Sequence, residues 1–255
     1  MQRSKSPADL DLPPAYRAIV LREHRDAFTH ACAIALEEGA GTLVWVRRFD
    51  MVEFAVVLEP EEPLASARRA IYAVMAAAGD ALAAHCPPEK PIGFDWPDTI
   101  LLDGAIIGGV QLAWPDGTAE DAVPDWLVAG VALRATVPLL AARSPGESIF
   151  DVAGVRGTSL ELEGFEMMDA AALISSFARH LMHYVDQWQA SGFKPIAERF
   201  LGWLPEERLV RRGIDGNGDL LVRRVNATAE AERRALAPAL ARPQWLDPET
   251  GNPLL

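Results

Sequence analysis

The chain predicts an α+β fold: a mostly antiparallel sheet backed by helices, with a small C-terminal β-module. Three observations carry this. Short β-rich runs flank the tight turns Asp103-Gly104 and Asp215-Gly216-Asn217-Gly218, which signal hairpins. Leu64 to Ala84 and Met167 to Trp188 are long apolar-periodic stretches, with Leu173, Phe177, Leu181, Tyr184 and Trp188 on one helical stripe. These stretches stand apart from the hairpins and do not alternate with single strands, which favours helices packed on one face of an antiparallel sheet.

Each element follows in order. Residues 1–14 form a polar, Pro-containing tail expected to be poorly ordered. Ala18 to Glu38 carries a mostly helical pattern closed by Gly39. Thr42 to Val46 and Glu53 to Leu58 are strands joined by the tight connection Arg47-Arg48-Phe49-Asp50. Glu59-Pro60-Glu61-Glu62-Pro63 places acid and proline before the next helix, where the helix dipole and the first-turn preference favour them. Ile92–Trp96, Thr99–Leu102 and Ala105–Leu112 are strands, and Trp126–Thr136 is another. Val210–Ile214 and Asp219–Arg224 pair across the second hairpin turn. The organisation expected is a tail over 1–14, a main domain over 15–192 and a small β-containing domain over 193–255.

Composition narrows the function. With 255 residues and half of them hydrophobic, the chain can bury a core without staples. Cys32 and Cys86 are too few for a disulfide framework or a zinc site, so a reducing compartment is expected. No signal peptide precedes Asp9 and Asp11, and the Ala-rich run 65–84 is broken by Arg68, Arg69, Gly79 and Asp80. A cytoplasmic protein without membrane partners is the expectation. A net charge of −12 argues against nucleic acid as a partner, since phosphate neutralisation needs clustered cations. The charge is uneven: Ser191 to Arg242 holds 10 basic and 7 acidic residues. Arginines dominate there, which suggests two domains docked by complementary charge.

The most informative stretch is Phe94-Asp95-Trp96-Pro97-Asp98-Thr99, followed by Asp103-Gly104-Ala105-Ile106-Ile107-Gly108-Gly109-Val110. It resembles the Lys-Trp-Pro-Asn-Asp…Gly-Lys-Lys-Ile-Gly-Gly block of biotin and lipoate protein ligases. Arg25 to Val46 looks like that family's first helix and strand. Trp126 to Ala132 looks like its Gly-Ile-Gly-Ile-Asn strand, with Ala132 at the Asn position. The helix ending at Trp188 and the segment Gly213 to Val222 fit its last catalytic-domain helix and the start of its C-terminal β-domain. The resemblance covers most of the chain, from Arg25 to Val225, and implies ATP, Mg and biotin or lipoate as ligands and a biotinyl or lipoyl carrier domain as partner.

The charges of the block are not kept. Asp95 stands where the family has the lysine that holds the acyl carboxylate and the ATP α-phosphate, and Ala105 and Ile106 stand where it has further lysine. Reversing a unit charge about 4 Å from an anion turns a gain of about 4 kcal/mol at intermediate dielectric into a cost. Lys90 is a poor replacement, since residues five apart in a strand face opposite sides roughly 16 Å apart. The family's long Gly-Arg loop is replaced by Arg47 to Val52, which contains no glycine to wrap a phosphate. Arg47 and Arg48 are either an anion site or solvated turn residues. Asp95 is either a pocket carboxylate for a cation or a turn-capping surface group.

Other candidates are weaker. Cys86 follows His85, but neighbours at a helix end point apart, and Cys32 lies on an apolar stripe, so cysteine acyl transfer lacks its thiolate partner. His180, His183 and Asp186 recur at i, i+3 and i+6, a solvated flank more readily than a metal face. Asp215-Gly216-Asn217-Gly218-Asp219 mimics a calcium loop, but Leu220 stands where that loop needs glycine. No metal site is therefore assigned. The candidate pocket comprises Arg47, Arg48, Asp95, Trp96, Pro97, Asp98, Gly108 and Gly109. The function expected is that of a divergent ligase-like protein with a retained small-molecule pocket and lost or altered adenylation chemistry. An active acyl ligase or transferase with a non-standard site, or a silent carrier-domain or small-molecule binder, is the alternative. Catalytic residues are not identified.

Overall fold

The computed structural model describes residues 10–87, 89–136, 157–165, 169–225, 231–249 and 251–254. A seven-stranded sheet runs, edge to edge, β1 (Arg17–Leu21), β2 (Thr42–Arg47), β3 (Met51–Leu58), β7 (Leu127–Arg134), β6 (Ala105–Ala113), β5 (Thr99–Leu102) and β4 (Ile92–Asp95), and a second, three-stranded sheet lies in the C-terminal section. Only its β1–β2 pair is parallel; the other pairs are antiparallel. The mixed α+β class and the mostly antiparallel sheet therefore match the expectation.

Both faces of the sheet are covered. On one, α3 (Ala70–Ala83) and α4 (Ala170–Ser191) pack over Leu43, Phe54, Val110 and Val131. Phe54 and Phe177 meet edge-to-face with centroids 4.7 Å apart, a contact worth about 0.5–1.5 kcal/mol beyond its buried area. On the other face, α1 (Ala27–Glu38) lays Ala27, Ala31 and Ala35 over Val44, Val46, Ala55, Val57 and Val128. Small residues let this helix lie close. A side chain at Gly130 would meet the Phe28 ring at 2.6 Å.

Several expectations change. The helix read over Ala18–Glu38 is strand β1 followed by α1. β-Branched Ile19 and Val20 suit a strand, and Asp26 starts the helix by accepting from Thr29 N–H. The helix read over Leu64–Ala84 is α2 (Leu64–Ala67) and α3, separated by Arg68-Arg69. Residues 10–14 are not a loose tail: Leu10 and Leu12 pack on the core, and Asp11 N–H bonds to Ser175 Oγ at 2.9 Å. α4 begins at Ala170, whereas Met167 lies outside the described residues.

The C-terminal section holds α5 (Lys194–Leu201), β8 (Val210–Ile214), β9 (Leu220–Arg224), β10 (Glu232–Arg234) and α6 (Leu236–Leu240). Of these only the β8–β9 hairpin was legible. Its turn is closed by Asp215, whose carboxylate accepts from Asn217 and Asp219 N–H at 2.9 and 3.0 Å. Arg199 pairs with Asp80 of α3, but Arg212 and Arg233 pair inside the section, with Glu207, Asp215 and Asp219. Aromatic packing joins it to α3 and β4: Tyr72 lies 4.6 Å from Phe200, and Phe94 lies 5.5 Å from Trp203. Apolar burial, more than complementary charge, holds this junction.

Candidate functional site

One cross-strand row organises the site. Register places Val46, Glu53, Ala132, Gly109, Thr99 and Asp95 side by side across β2, β3, β7, β6, β5 and β4. Residues paired in this way share a face, and this is the face under α1. Gln111 and Gly130 are paired in the next row that points the same way. Ala132 and Gly130 leave the floor low, while Gly109, next to Ala132, lies under Trp245. Above the floor opens a cavity of about 350 Å³, lined by Asp26, Arg48, Glu53, Gln111, Ala132 and Trp245 among others. This lies within the range usual for small-molecule sites.

Glu53 is the centre of the polar wall. It is buried, one carboxylate oxygen accepting from Ala27 N–H at 2.7 Å and the other from Arg48 at 3.1 Å. It thus occupies the N-terminus of α1, where unpaired N–H groups and the helix dipole attract an anion. Burial raises the Glu53 carboxyl above its ordinary range and the Asp26 charge adds to this; Ala27 N–H and Arg48 act in the opposite direction. Arg48 is also held by Asp50, through Nε at 3.0 Å and Nη2 at 2.8 Å. Its guanidinium is bridged between two carboxylates.

The predicted residues distribute as follows. Arg48 lines the cavity, while Arg47 is exposed and lies over the Trp45 ring at 5.8 Å. Asp95 is exposed on the cavity face, but at about 4.8 Å per strand it stands roughly 19 Å from Glu53. Trp96 turns to the other face, where its indole N–H bonds to Tyr72 Oη at 2.9 Å, and Tyr72 in turn donates to Gly218 C=O. Pro97 and Asp98 are buried in the turn between β4 and β5, and the Trp96–Pro97 bond is cis. Burial pushes the Asp98 carboxyl up to about 7, against the lowering effect of the Thr99 hydroxyl that donates to it.

Gly108 and Gly109 both meet close neighbours. Gly108 has φ 151°, and a side chain there would strike Ala132 C=O at 1.9 Å. A side chain on Gly109 would meet Asp98 C=O at 2.3 Å and Trp245 Nε1 at 2.5 Å. Trp245 is fully buried, and its indole N–H finds no acceptor among the described residues. The segment that carries it folds back on itself through Asp247 N–H to Asn252 C=O at 2.8 Å and Leu254 N–H to Trp245 C=O at 2.7 Å. Arg134 of β7 donates to Pro253 C=O, tying this segment to the sheet. A C-terminal segment thus closes one end of the cavity.

Neither cysteine is poised as a nucleophile. Burial pushes the Cys32 thiol up to about 11, with the Asp26 charge adding to it, and burial raises Cys86 as well. Lys90 is committed to Glu163 at 2.7 Å and Asp103 at 3.2 Å. No His, Cys, Asp and Glu cluster able to hold a metal ion occurs among the described residues, His180, His183 and Asp186 included. Among them, no helix is long and apolar enough to cross a membrane.

Glu53, Asp26, Gln111 and Trp245 escaped the sequence reading. Glu53 had a usable signal, a lone acid inside the apolar run Met51–Leu58. Asp26 had another, a capping residue at the start of a helical pattern. Nothing in the sequence marks Trp245 as part of this cavity.

The fold and the block around Trp96-Pro97 agree with a known family. The model of the biotin/lipoate A/B protein ligase family matches residues 12–202, and the chain belongs to that family. A biotin protein ligase-like protein of unknown function from Silicibacter sp. TM1040 is similar in structure, with TM-score 0.74, 26% identity, and 89% of this chain and 97% of that one covered. Biotin protein ligase from Aquifex aeolicus superposes with TM-score 0.63 at 14% identity, covering 86% and 95%. The Leishmania major enzyme in complex with biotinyl-5-AMP gives TM-score 0.53 at 16% identity, covering 86% and 99%. At those identities the two ligases share the fold. No curated protein matches this sequence.

Proposed function

We propose that this protein is a divergent biotin/lipoate ligase-like protein that keeps a small-molecule pocket and has lost or altered the adenylation chemistry. The observation that carries this reading is the Glu53–Arg48–Asp50 bridge. Adenylation needs cationic and N–H donors aimed at phosphate and at the developing charge. Here the Arg48 guanidinium and the first N–H of α1 are both taken by carboxylates. Asp95 removes a further cation from the retained block, and the short turn after β2 offers no glycine to a triphosphate. The donor set does not fit ATP and Mg in the usual mode.

Binding supports the reading better than catalysis does, because burial raises both thiols and Arg48 is committed to two carboxylates. The ligand of the pocket is a small acyl compound, free or attached to a biotinyl or lipoyl carrier domain. The division into 15–192 and 193–255 belongs to the same reading, with the later segment supplying one wall of the pocket. Incubation of purified protein with ATP, Mg, biotin or lipoate and a carrier domain tests it. No carrier labelling above background is expected. Robust ATP-dependent labelling would overturn the loss of adenylation chemistry.

A further inference from the structure

We infer that the cavity takes an acyl group as its neutral amide and rejects the free carboxylic acid, and that Glu53 sets this preference. The inference rests on the cavity being an acyl pocket, as proposed above. It goes further by naming the chemical form of the ligand.

Three features of the cavity carry it. The N-terminus of α1, the natural seat for a carboxylate, is already filled by the Glu53 side chain at 2.7 Å from Ala27 N. The cation beside it, half-buried Arg48, has Nε and both terminal nitrogens engaged, two with Asp50 and one with Glu53. Asp26 and Glu23 add two more carboxylates to the lining, alongside the exposed His24 and Arg25. A second anion seated at the Glu53 end would meet carboxylates and an Arg48 already shared between two of them, because the other basic lining residues, His24 and Arg25, are exposed; like charges in a partly desolvated site repel strongly.

An amide meets the opposite situation. Its N–H groups donate to Glu53 or Asp26, whose oxygens keep lone pairs beyond those used by Ala27, Arg48 and Thr29. Its carbonyl needs a donor, and Gln111 lies on the same face with no side-chain partner among the described residues. A simple ammonium would leave the Gln111 amide donor unused, so the amide suits the lining better. An acyl group joined to a protein lysine is also an amide. The cavity therefore fits a finished acyl-lysine conjugate better than the acid from which one is made.

Isothermal titration of the full chain against matched pairs tests this: octanoate with octanamide, lipoate with lipoamide, and biotin with biotinamide. At least one amide is expected to bind tenfold or more tighter than its acid. Glu53→Gln keeps the side-chain volume and an acceptor for Ala27, and should narrow that ratio to about threefold by improving acid binding. Asp26→Asn keeps the helix cap and should shift the ratio the same way, which preserves the test if Glu53→Gln does not fold. Acid binding equal to or tighter than amide binding in the wild type overturns the inference, as does an unchanged ratio in both folded variants. Binding of neither member of any pair overturns the acyl-pocket reading itself.

Discussion

Trp245 lies on Gly109 so closely that a single methyl group on the glycine would sit 2.5 Å from the indole nitrogen. The contact joins a C-terminal segment to the Gly-Gly pair of the retained block and closes one end of the cavity. Gly109→Ala should therefore be costly, since its other neighbour, at 2.3 Å, is backbone of Asp98. We expect a loss of about 2–3 kcal/mol by urea denaturation, typical of overpacking a rigid site. Gly213→Ala, in β8 with nothing within 4 Å of the added carbon, should be neutral or slightly stabilising. Equal effects of the two would show that Trp245 yields freely.

The indole of Trp245 separates packing from hydrogen bonding. Trp245→Ala removes a fully buried ring and should cost about 3–5 kcal/mol. Trp245→Phe keeps most of the ring and deletes an N–H that has no acceptor among the described residues. Leaving a buried donor unpaired costs about 1–3 kcal/mol, so the Phe variant should lose little or nothing. A large loss in Trp245→Phe would mean that the N–H has a partner.

Asp98 predicts a pH effect with a defined sign. Its carboxyl is pushed up to about 7 by burial, from 3.8. The unfolded chain therefore releases this proton more readily than the folded one, and the group makes stability fall as pH rises from about 4 to about 7, then level off. Asp98→Asn cannot ionise and should escape that loss. The stability difference, variant minus wild type, should grow across this window by a few kcal/mol at about 1.4 per pH unit. Thermal melts at pH 4.5, 6 and 8 check it, and a constant difference would contradict a buried neutral carboxyl.

Arg47 and Arg48 are adjacent in sequence but opposite in consequence. Arg48→Met leaves Asp50 and Glu53 without their shared cation, and should cost about 2–3 kcal/mol, less than a fully buried pair because these side chains keep some solvent contact. Arg47→Met, which loses an exposed contact over Trp45, should stay within about 0.5 kcal/mol of wild type. Chemical denaturation of the two single variants measures the contrast, and similar losses would refute it.

Much of this protein was legible from local pattern. The strands Thr42–Val46, Thr99–Leu102 and Val210–Ile214 announce themselves by β-branched residues and flanking turns, because those signals depend on neighbours along the chain. The block Trp96-Pro97 with Gly108-Gly109 identified the family for the same reason: order and spacing are one-dimensional. Expectations failed where local signals competed, as at Ile19 and Val20, which join β2 in parallel although apolar periodicity continues into α1.

The cavity itself was decided only by tertiary structure. Register across six strands sets Glu53 and Gly109 on either side of Ala132, though they are far apart in sequence. The same pairing holds Asp95 well away from Glu53, while chain reversal after α6 brings Trp245 over Gly109. A residue's charge is written in the sequence, but whether that charge is spent depends on which groups folding brings within about 3 Å. Arg48 shows this most directly: the sequence gives a cation in a turn, and the fold supplies the two carboxylates that engage it.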